Sequence, residues 1–160
     1  MFGKHRAKPE TVAELREVSF FEGFSDEELE RVVDLADEVR VEEGDVVVDQ
    51  GRVGLDCFVI LEGRAGVWVG DEHVASLTKG SMIGEMALVE HTPRSASVVA
   101  ETPMRLLRFD TKAFKRLLEE MPLARDRVMS LLAARLRANR RLKDVVVEVV
   151  EEVEPPQGDT

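Results

Sequence analysis

The feature that most restricts the fold is a series of short apolar segments between Val39 and Phe109, separated by glycines. Segments such as DCFVIL and AGVWV are rich in β-branched and aromatic residues, and glycines stand at positions 44, 51, 54, 63, 70 and 80. Strands favour these residue types, and glycine is typical of the turns between strands. The predicted strands are 39–42, 46–49, 56–62, 64–70, 72–78, 82–84, 95–101 and 103–109. So many short strands favour a closed roll or a sandwich.

Helical patterns precede this β-rich region. The sequence predicts helices at Glu10–Val18 and Ser25–Glu38. The second begins with a capping box, in which Ser25 is the N-cap residue and Glu28 is the N3 residue. Its apolar residues recur at helical spacing, so one face of this helix is expected to pack on the strands that follow.

Helical patterns also follow the β-rich region. A helix is predicted at Thr111–Glu120, and a long helix is predicted at about 123–143, after the break that Pro122 imposes. The long helix carries an apolar stripe that can pack on the strands or on a second copy of itself. The sequence therefore predicts a mainly β fold with flanking helices.

Composition excludes several other classes of protein. The chain has 160 residues, 44% of them hydrophobic and 34% charged, as in a globular domain with appended helices. Its single cysteine, Cys57, cannot form an internal disulfide, which fits a reducing compartment. The sequence has no apolar run near the roughly 20 residues of a membrane span, and MFGKHRAKPE lacks the apolar stretch of a secretory signal. We therefore expect a cytoplasmic protein that does not enter membranes.

Charge is unevenly distributed. The net charge is −10, whereas residues 125–143 carry seven basic groups and one acidic group. Residues 144–160 carry six acidic groups and no basic group, which cancels that excess. The simpler interpretation of residues 125–143 is a helix face that is exposed to solvent or paired with the acidic tail. The alternative is a nucleic-acid contact. The overall negative charge favours the first.

The segment GEMALVEHTPRSAS, residues 84–97, combines the groups that a sugar phosphate requires. Gly84 permits a close backbone approach, and the turn at 86–89 can present N–H groups to an anion. Arg94 can donate a planar pair of N–H groups to two phosphate oxygens. Glu85 would repel a phosphate, so a binding role requires it to accept a hydrogen bond from a nearby hydroxyl. Each of the two charges could also be an ordinary surface charge or half of an ion pair.

In the order of its residues, the chain resembles the cyclic nucleotide-binding domain family. The resemblance covers about Phe20 to Lys143 and includes the segments FFEGFSDEEL, EEGDVVVDQGRVGLDCFVILEGRAGV and TKGSMIGEMALVEHTPRSASV. It implies an eight-stranded antiparallel β-roll, also called a double-stranded jelly roll, with N-terminal helices and two C-terminal helices. The implied organisation is an N-terminal segment at 1–19 and a binding domain at 20–143. An acidic, valine-rich tail at 144–160 follows, as either a frayed extension or a docking segment.

The resemblance also implies roles for individual residues. Glu85 would hold the ribose 2′-hydroxyl, and Arg94 would hold the cyclic phosphate. The implied helpers are Gly84, the backbone amides of Met86 and Ala87, and the hydroxyl of Ser95. On the last helix, Asn139 is the candidate contact to the purine, although a polar position that sets the helix register is the alternative.

These implied roles describe a non-catalytic sensor. We find no nucleophile with a base, no phosphate-binding Walker loop and no metal motif, so neither an enzyme nor a metal site is expected. Cyclic AMP is the expected ligand, with cyclic GMP as the alternative. The expected partner is another protein or a second copy docked through helix 123–143. Because only 17 residues follow Lys143, too few for a winged helix-turn-helix, direct DNA binding is not expected. A β-roll scaffold without ligand dependence remains the alternative function.

Overall fold

The computed structural model describes residues 8–54, 56–84, 94–134 and 137. Within these residues, eight antiparallel strands form two four-stranded sheets, with helices before and after them. The mainly β class, an eight-stranded antiparallel roll with flanking helices, is therefore confirmed.

The two N-terminal helices are α1 (Lys8–Arg16) and α2 (Asp26–Leu35), with a 3-10 turn at Ser19–Phe21 between them. The capping box of α2 is confirmed, because the Ser25 hydroxyl accepts from the Glu28 amide at 3.1 Å. The Glu28 carboxylate in turn accepts from the Ser25 amide at 2.8 Å. These bonds satisfy backbone donors at the start of the helix.

The predicted end of α2 at Glu38 is wrong. The helix ends at Leu35, and Asp37 already belongs to the first strand, where it pairs with Arg108. The Glu38 carboxylate is buried and accepts hydrogen bonds from Arg105. Pairing with a distant strand therefore overrides the local helical pattern at these residues.

Each predicted strand is present, with ends that differ from the prediction by at most two residues. The strands are β1 (Asp37–Val41), β2 (Val46–Val48), β3 (Asp56–Glu62), β4 (Ala65–Val69), β5 (Glu72–Leu77), β6 (Met82–Ile83), β7 (Ser97–Ala100) and β8 (Met104–Asp110). One sheet has the order β1-β8-β3-β6, and the other has the order β2-β7-β4-β5. A core that includes Phe58, Ile60, Val98 and Leu106 fills the space between them.

Strands β3 and β8 are buried on both faces. Phe58 and Ile60 belong to the core between the sheets, whereas Cys57, Val59 and Leu61 alternate with them and are equally buried. This second face is covered partly by helix α3 (Thr111–Glu120), which contacts both strands. The predicted bounds of α3 are confirmed, and Asp110 caps it by accepting from the Ala113 amide at 2.8 Å.

Beyond α3, residues 122–134 form helix α4, with proline at its first position. Proline suits that position because the first helical amides lack partners within the helix. The described part of the predicted helix 123–143 is therefore helical, and the remainder lies outside the described residues. The chain divides into two compact units at Arg125. In the described part of the chain, no helix combines the length and the apolar character that a membrane span requires.

A buried network of charges joins α1 to the first sheet. In β8, Arg105 donates to Glu38 of β1 at 3.1 Å, to Glu14 of α1 at 2.8 Å and to Glu62 of β3. Burial by itself would lower the pKa of Arg105, but the hydrogen bonds to these three carboxylates outweigh it and raise that pKa above its ordinary value. The network therefore holds a permanent positive charge that fixes α1 against the roll.

Loss of this charge should strongly destabilise the protein. In Arg105→Gln, the buried Glu38 carboxylate loses two hydrogen bonds from a charged partner, and we expect the free energy of unfolding to fall by about 3 kcal/mol. Urea denaturation measures this change. The matched control is Arg64→Gln, since Arg64 pairs with Glu101 on the surface, and it should cost less. Equal losses in the two variants would show that the buried network contributes no more than a surface pair.

Candidate functional site

The main chain of Arg94 is held by the loop between β2 and β3. Its amide donates to the Arg52 carbonyl at 2.8 Å, and its carbonyl accepts from the Gly51 amide at 2.9 Å. Gly51 adopts a φ of +86°, a conformation that is strained for residues with a Cβ. This reciprocal pair of bonds places Arg94 directly before β7 and beside residues that are about 40 positions earlier in the chain.

The guanidinium of Arg94 joins two other parts of the roll. Its Nη1 donates to the Gly84 carbonyl, at the end of β6, at 3.2 Å, and its Nη2 donates to the Asp56 carbonyl, at the start of β3, at 2.7 Å. Arg94 is only 9% exposed. A buried cation without hydrogen bonds would be costly, so these carbonyls support the charge in its position.

Two glycines leave the space that the guanidinium occupies. A Cβ at Gly54 or at Gly84 would overlap guanidinium atoms of Arg94. Gly84 also has a φ of +83°, so it is required for its backbone conformation as well. At Gly54, a side chain is excluded by the lack of space and not by the backbone conformation. The sequence indicated a turn at Gly54 but not this packing role.

The loop between β2 and β3 is fastened to the second sheet by Gln50. The Gln50 amide donates to the Ser97 hydroxyl of β7 at 2.8 Å, and the Gln50 side chain accepts from the Gly70 amide at 2.8 Å. These bonds fix the loop at the residue directly before Gly51, whose amide donates to Arg94. The sequence provided no signal for this role, because Gln50 is one polar residue among several in a turn.

A pocket of about 360 Å³ opens beside Arg94, a volume within the range of small-molecule sites. Its lining residues are Val46, Val47, Val48, Asp49, Arg52, Val53, Gly54, Asp56, Phe58 and Arg94. Valines and one phenylalanine form an apolar wall, while the arginines and aspartates place charges of both signs. Such a pocket can accept a ligand that has an apolar ring and an anionic group.

One pocket aspartate also interacts with a second arginine. The Asp56 carboxylate is 3.9 Å from the guanidinium of Arg108 in β8, while the Asp56 carbonyl accepts from Arg94. The Arg108 guanidinium is 2.9 Å from Asp37 of β1. The Asp56 carbonyl therefore contacts the guanidinium of Arg94, and the Asp56 carboxylate lies near the guanidinium of Arg108.

The structure brings together two of the residues proposed from the sequence, Gly84 and Arg94. Ser95, a third, is exposed next to Arg94. The other proposed residues, Glu85, Met86, Ala87 and Asn139, lie outside the described residues. Sequence reasoning missed Gly54 and Asp56 as neighbours of Arg94, because their proximity depends on how the sheets close. Among residues 8–54, 56–84 and 94–134, no group of three histidine, cysteine or acidic side chains is arranged to hold a metal ion.

Comparison with protein families identifies one match. The family model described as "Cyclic nucleotide-binding domain" matches residues 38–121, which run from the second residue of β1 to just past the end of α3. The residues of the pocket, including Arg94, fall within this match.

Individual proteins support the same relationship. The chain is 33% identical over 107 residues to a cAMP-dependent protein kinase type II regulatory subunit of Drosophila melanogaster, which covers 67% of this chain and 28% of that protein. It is 40% identical over 78 residues to a cGMP-dependent protein kinase of Plasmodium berghei, which covers 49% of this chain and 9% of that protein. The chain thus spans less than a third of the length of these relatives.

Among solved structures, the Thermus thermophilus catabolite activator protein has a similar fold. The TM-score is 0.72 at 26% sequence identity, and the similarity covers 79% of this chain and 62% of that one. The roll and its flanking helices are therefore an arrangement found in solved proteins.

Alanine at Gly84 should displace Arg94 as well as strain the backbone. We expect Gly84→Ala to lose about 1–2 kcal/mol of unfolding free energy from its positive φ, and to shift the NMR signal of the Arg94 Nε–H group. The matched control is Gly80→Ala, because Gly80 has a φ of +91° but no atom within 4 Å of the added Cβ. Urea denaturation should show a larger loss for Gly84→Ala than for Gly80→Ala, because only the first also displaces a buried guanidinium, and the Arg94 signal should change only in the first. An unchanged Arg94 signal in Gly84→Ala would contradict the packing argument.

Proposed function

Because the chain belongs to the cyclic nucleotide-binding domain family, we propose that it is a non-catalytic sensor that binds a cyclic mononucleotide, with cyclic AMP preferred. The observation that carries this proposal is a nearly buried arginine beside a pocket of suitable volume. Around it, the described lining residues supply an apolar wall and a cation.

The cyclic phosphate would bind to Arg94. The backbone bonds to Gly51 and Arg52, and the carbonyls of Gly84 and Asp56, orient this guanidinium before any ligand arrives. Such preorganisation lowers the entropic cost of binding. An arginine also suits a phosphate better than a lysine does, because its planar N–H groups can reach two oxygens at once. The ligand would bind to a charge that the fold already holds in place.

The ribose would bind to the segment that follows Gly84. In this proposal, the Glu85 carboxylate accepts from the 2′-hydroxyl. The amides of Met86 and Ala87, together with the Ser95 hydroxyl, donate to the phosphate. The exposure of Ser95 beside Arg94 is compatible with such a contact.

The base would lie against the apolar wall that β2 and Phe58 provide. Asn139, on the predicted C-terminal helix, is our candidate for a polar contact to the purine. The preference for cyclic AMP over cyclic GMP is supported by the similarity to a cAMP-dependent kinase subunit over two thirds of this chain. Similarity to a cGMP-dependent kinase covers about half of it.

Ligand binding would be communicated to other molecules by a change in the C-terminal helix. We place the binding domain at 20–143 and propose that ligand binding changes how helix 123–143 packs. A ligand can shift such an equilibrium only by binding one state more tightly than the other. The change would be detected by a partner protein or by a second copy of the chain. A cytoplasmic location, consistent with Cys57 as a buried cysteine outside any disulfide, would give access to cyclic nucleotides.

Calorimetric titration tests the binding proposal. We expect cyclic AMP to bind with micromolar or better affinity, cyclic GMP to bind more weakly, and 5′-AMP, which lacks the cyclic ester, to bind weakly. In Arg94→Gln, two charge-assisted hydrogen bonds worth about 1.5–3 kcal/mol each are lost, so affinity should fall at least about 100-fold. The control is Arg64→Gln, which alters a surface pair and should bind like the unaltered protein.

The same titration distinguishes ribose recognition from phosphate recognition. The 2′-deoxy analogue of cyclic AMP should bind more weakly to the unaltered protein, and Glu85→Gln should greatly reduce that difference. Absence of binding by both cyclic nucleotides would refute the sensor and favour the scaffold alternative. Cyclic AMP binding by the unaltered protein, with an affinity of Arg94→Gln that is less than about tenfold weaker, would refute the phosphate site but not the sensor.

Hydrogen exchange tests the response of the C-terminal helix. Addition of saturating cyclic AMP should change the exchange rates of amides in residues 126–143, because the ligand alters the packing of that helix. Arg94→Gln at the same ligand concentration provides the control and should show no change. An exchange profile that cyclic AMP does not alter in this segment, despite measured binding, would contradict signalling through the helix.

A further inference from the structure

We propose that Arg108 is a positioning residue for the phosphate site, which it serves by holding the Asp56 carboxylate away from Arg94. The inference depends on the proposed function, because it assumes that Arg94 binds a phosphate. It assigns a role to a residue of β8 that does not line the pocket itself.

The register of the first sheet places Arg108 near residues that line the pocket. Arg108 lies directly opposite Phe58 in β3 and opposite Asp37 in β1. Residues opposite each other in a sheet share a face, and so do residues two apart along a strand. Asp56 and Phe58 therefore lie on the same face as Arg108, and both line the pocket. The Arg108 side chain is 29% exposed and that of Asp56 is 35% exposed, so water only partly screens their interaction.

The position of Asp56 makes its carboxylate a potential competitor for the phosphate. Its own carbonyl accepts from Nη2 of Arg94 at 2.7 Å, so its side chain originates beside the guanidinium. If the carboxylate turned to Arg94, it would accept from N–H groups that a phosphate requires. It would also repel the anionic ligand.

Arg108 offers this carboxylate a different cation. Its Nη1 is 3.9 Å from the Asp56 Oδ2, while its Nη2 donates to Asp37 at 2.9 Å. The bond to Asp37 anchors the Arg108 guanidinium on the first sheet, at a point from which it can attract Asp56. The positive charge also offsets the negative charge that Asp56 contributes to the pocket. Arg108 would therefore keep Arg94 available to the ligand without contacting that ligand.

A double-mutant cycle tests this role. We expect Arg108→Gln to weaken cyclic AMP binding by about threefold or more, the effect of an ion pair at a partly exposed site. Asp56→Asn should bind at least as tightly as the unaltered protein, and adding it to Arg108→Gln should restore the lost affinity. The control is Arg64→Gln, which removes a surface ion pair that involves neither Arg108 nor Asp56 and should leave binding within twofold, about 0.4 kcal/mol. A loss on Arg108→Gln that persists in the Asp56→Asn background would overturn the proposal, because a merely structural role predicts that result.

A second measurement, on the ligand-free protein, separates this proposal from the binding proposal. The NMR signal of the Arg94 Nε–H group should shift in Arg108→Gln and return when Asp56→Asn is added. If the unaltered protein bound no cyclic nucleotide, this pattern would still support the control of Arg94 by Arg108, although the sensor function would be refuted. An Arg94 signal that Arg108→Gln leaves unchanged would overturn the positioning role, whatever the titration shows.

Discussion

The architecture depends on two adjacent strands, β3 and β8, that are buried on both faces. One face of each contributes to the core between the sheets, and the residues that alternate with it are equally inaccessible to water. A half-buried strand of an antiparallel sheet would leave one face in solvent. Here that second face is covered, in part by α3, so the flanking helices complete the fold. Burial of both faces also explains why an arginine in β8 requires three carboxylates.

Arg105 and Arg94 are two buried arginines whose charges are stabilised by different kinds of partner. Three carboxylates surround Arg105, and they connect α1, β1 and β3 across the first sheet. The guanidinium of Arg94 donates to backbone carbonyls of Gly84 and Asp56. A carboxylate neutralises the charge of a guanidinium, whereas a carbonyl accepts its hydrogen bond without doing so. The first kind of contact contributes to the stability of the fold, and the second kind is the one on which our proposal for Arg94 depends.

Family membership leaves base selection open. Both a cAMP-dependent and a cGMP-dependent kinase protein are similar to this chain. In our proposal, Arg94 holds the phosphate and Glu85 holds the ribose, and both nucleotides contain these groups. Discrimination between purines would then come from side chains that contact the edge of the base, and the polarity of those few side chains would matter more for selectivity than the roll itself.

The local sequence pattern was sufficient to predict the strands, the capping box at Ser25 and the bounds of α3. Each of these features depends on residues that are near one another in the chain. The resemblance of residues 84–97 to a known motif named both Gly84 and Arg94 as site residues, but the hydrogen bond between them was not predicted and comes from the structure. Tertiary structure alone decided the end of α2, where β1 pairs with β8, and the contacts of Arg94 with Gly54 and Asp56. These contacts join residues about 40 positions apart. Sequence periodicity reports which face of a strand is apolar, but strand order and register determine which side chains meet.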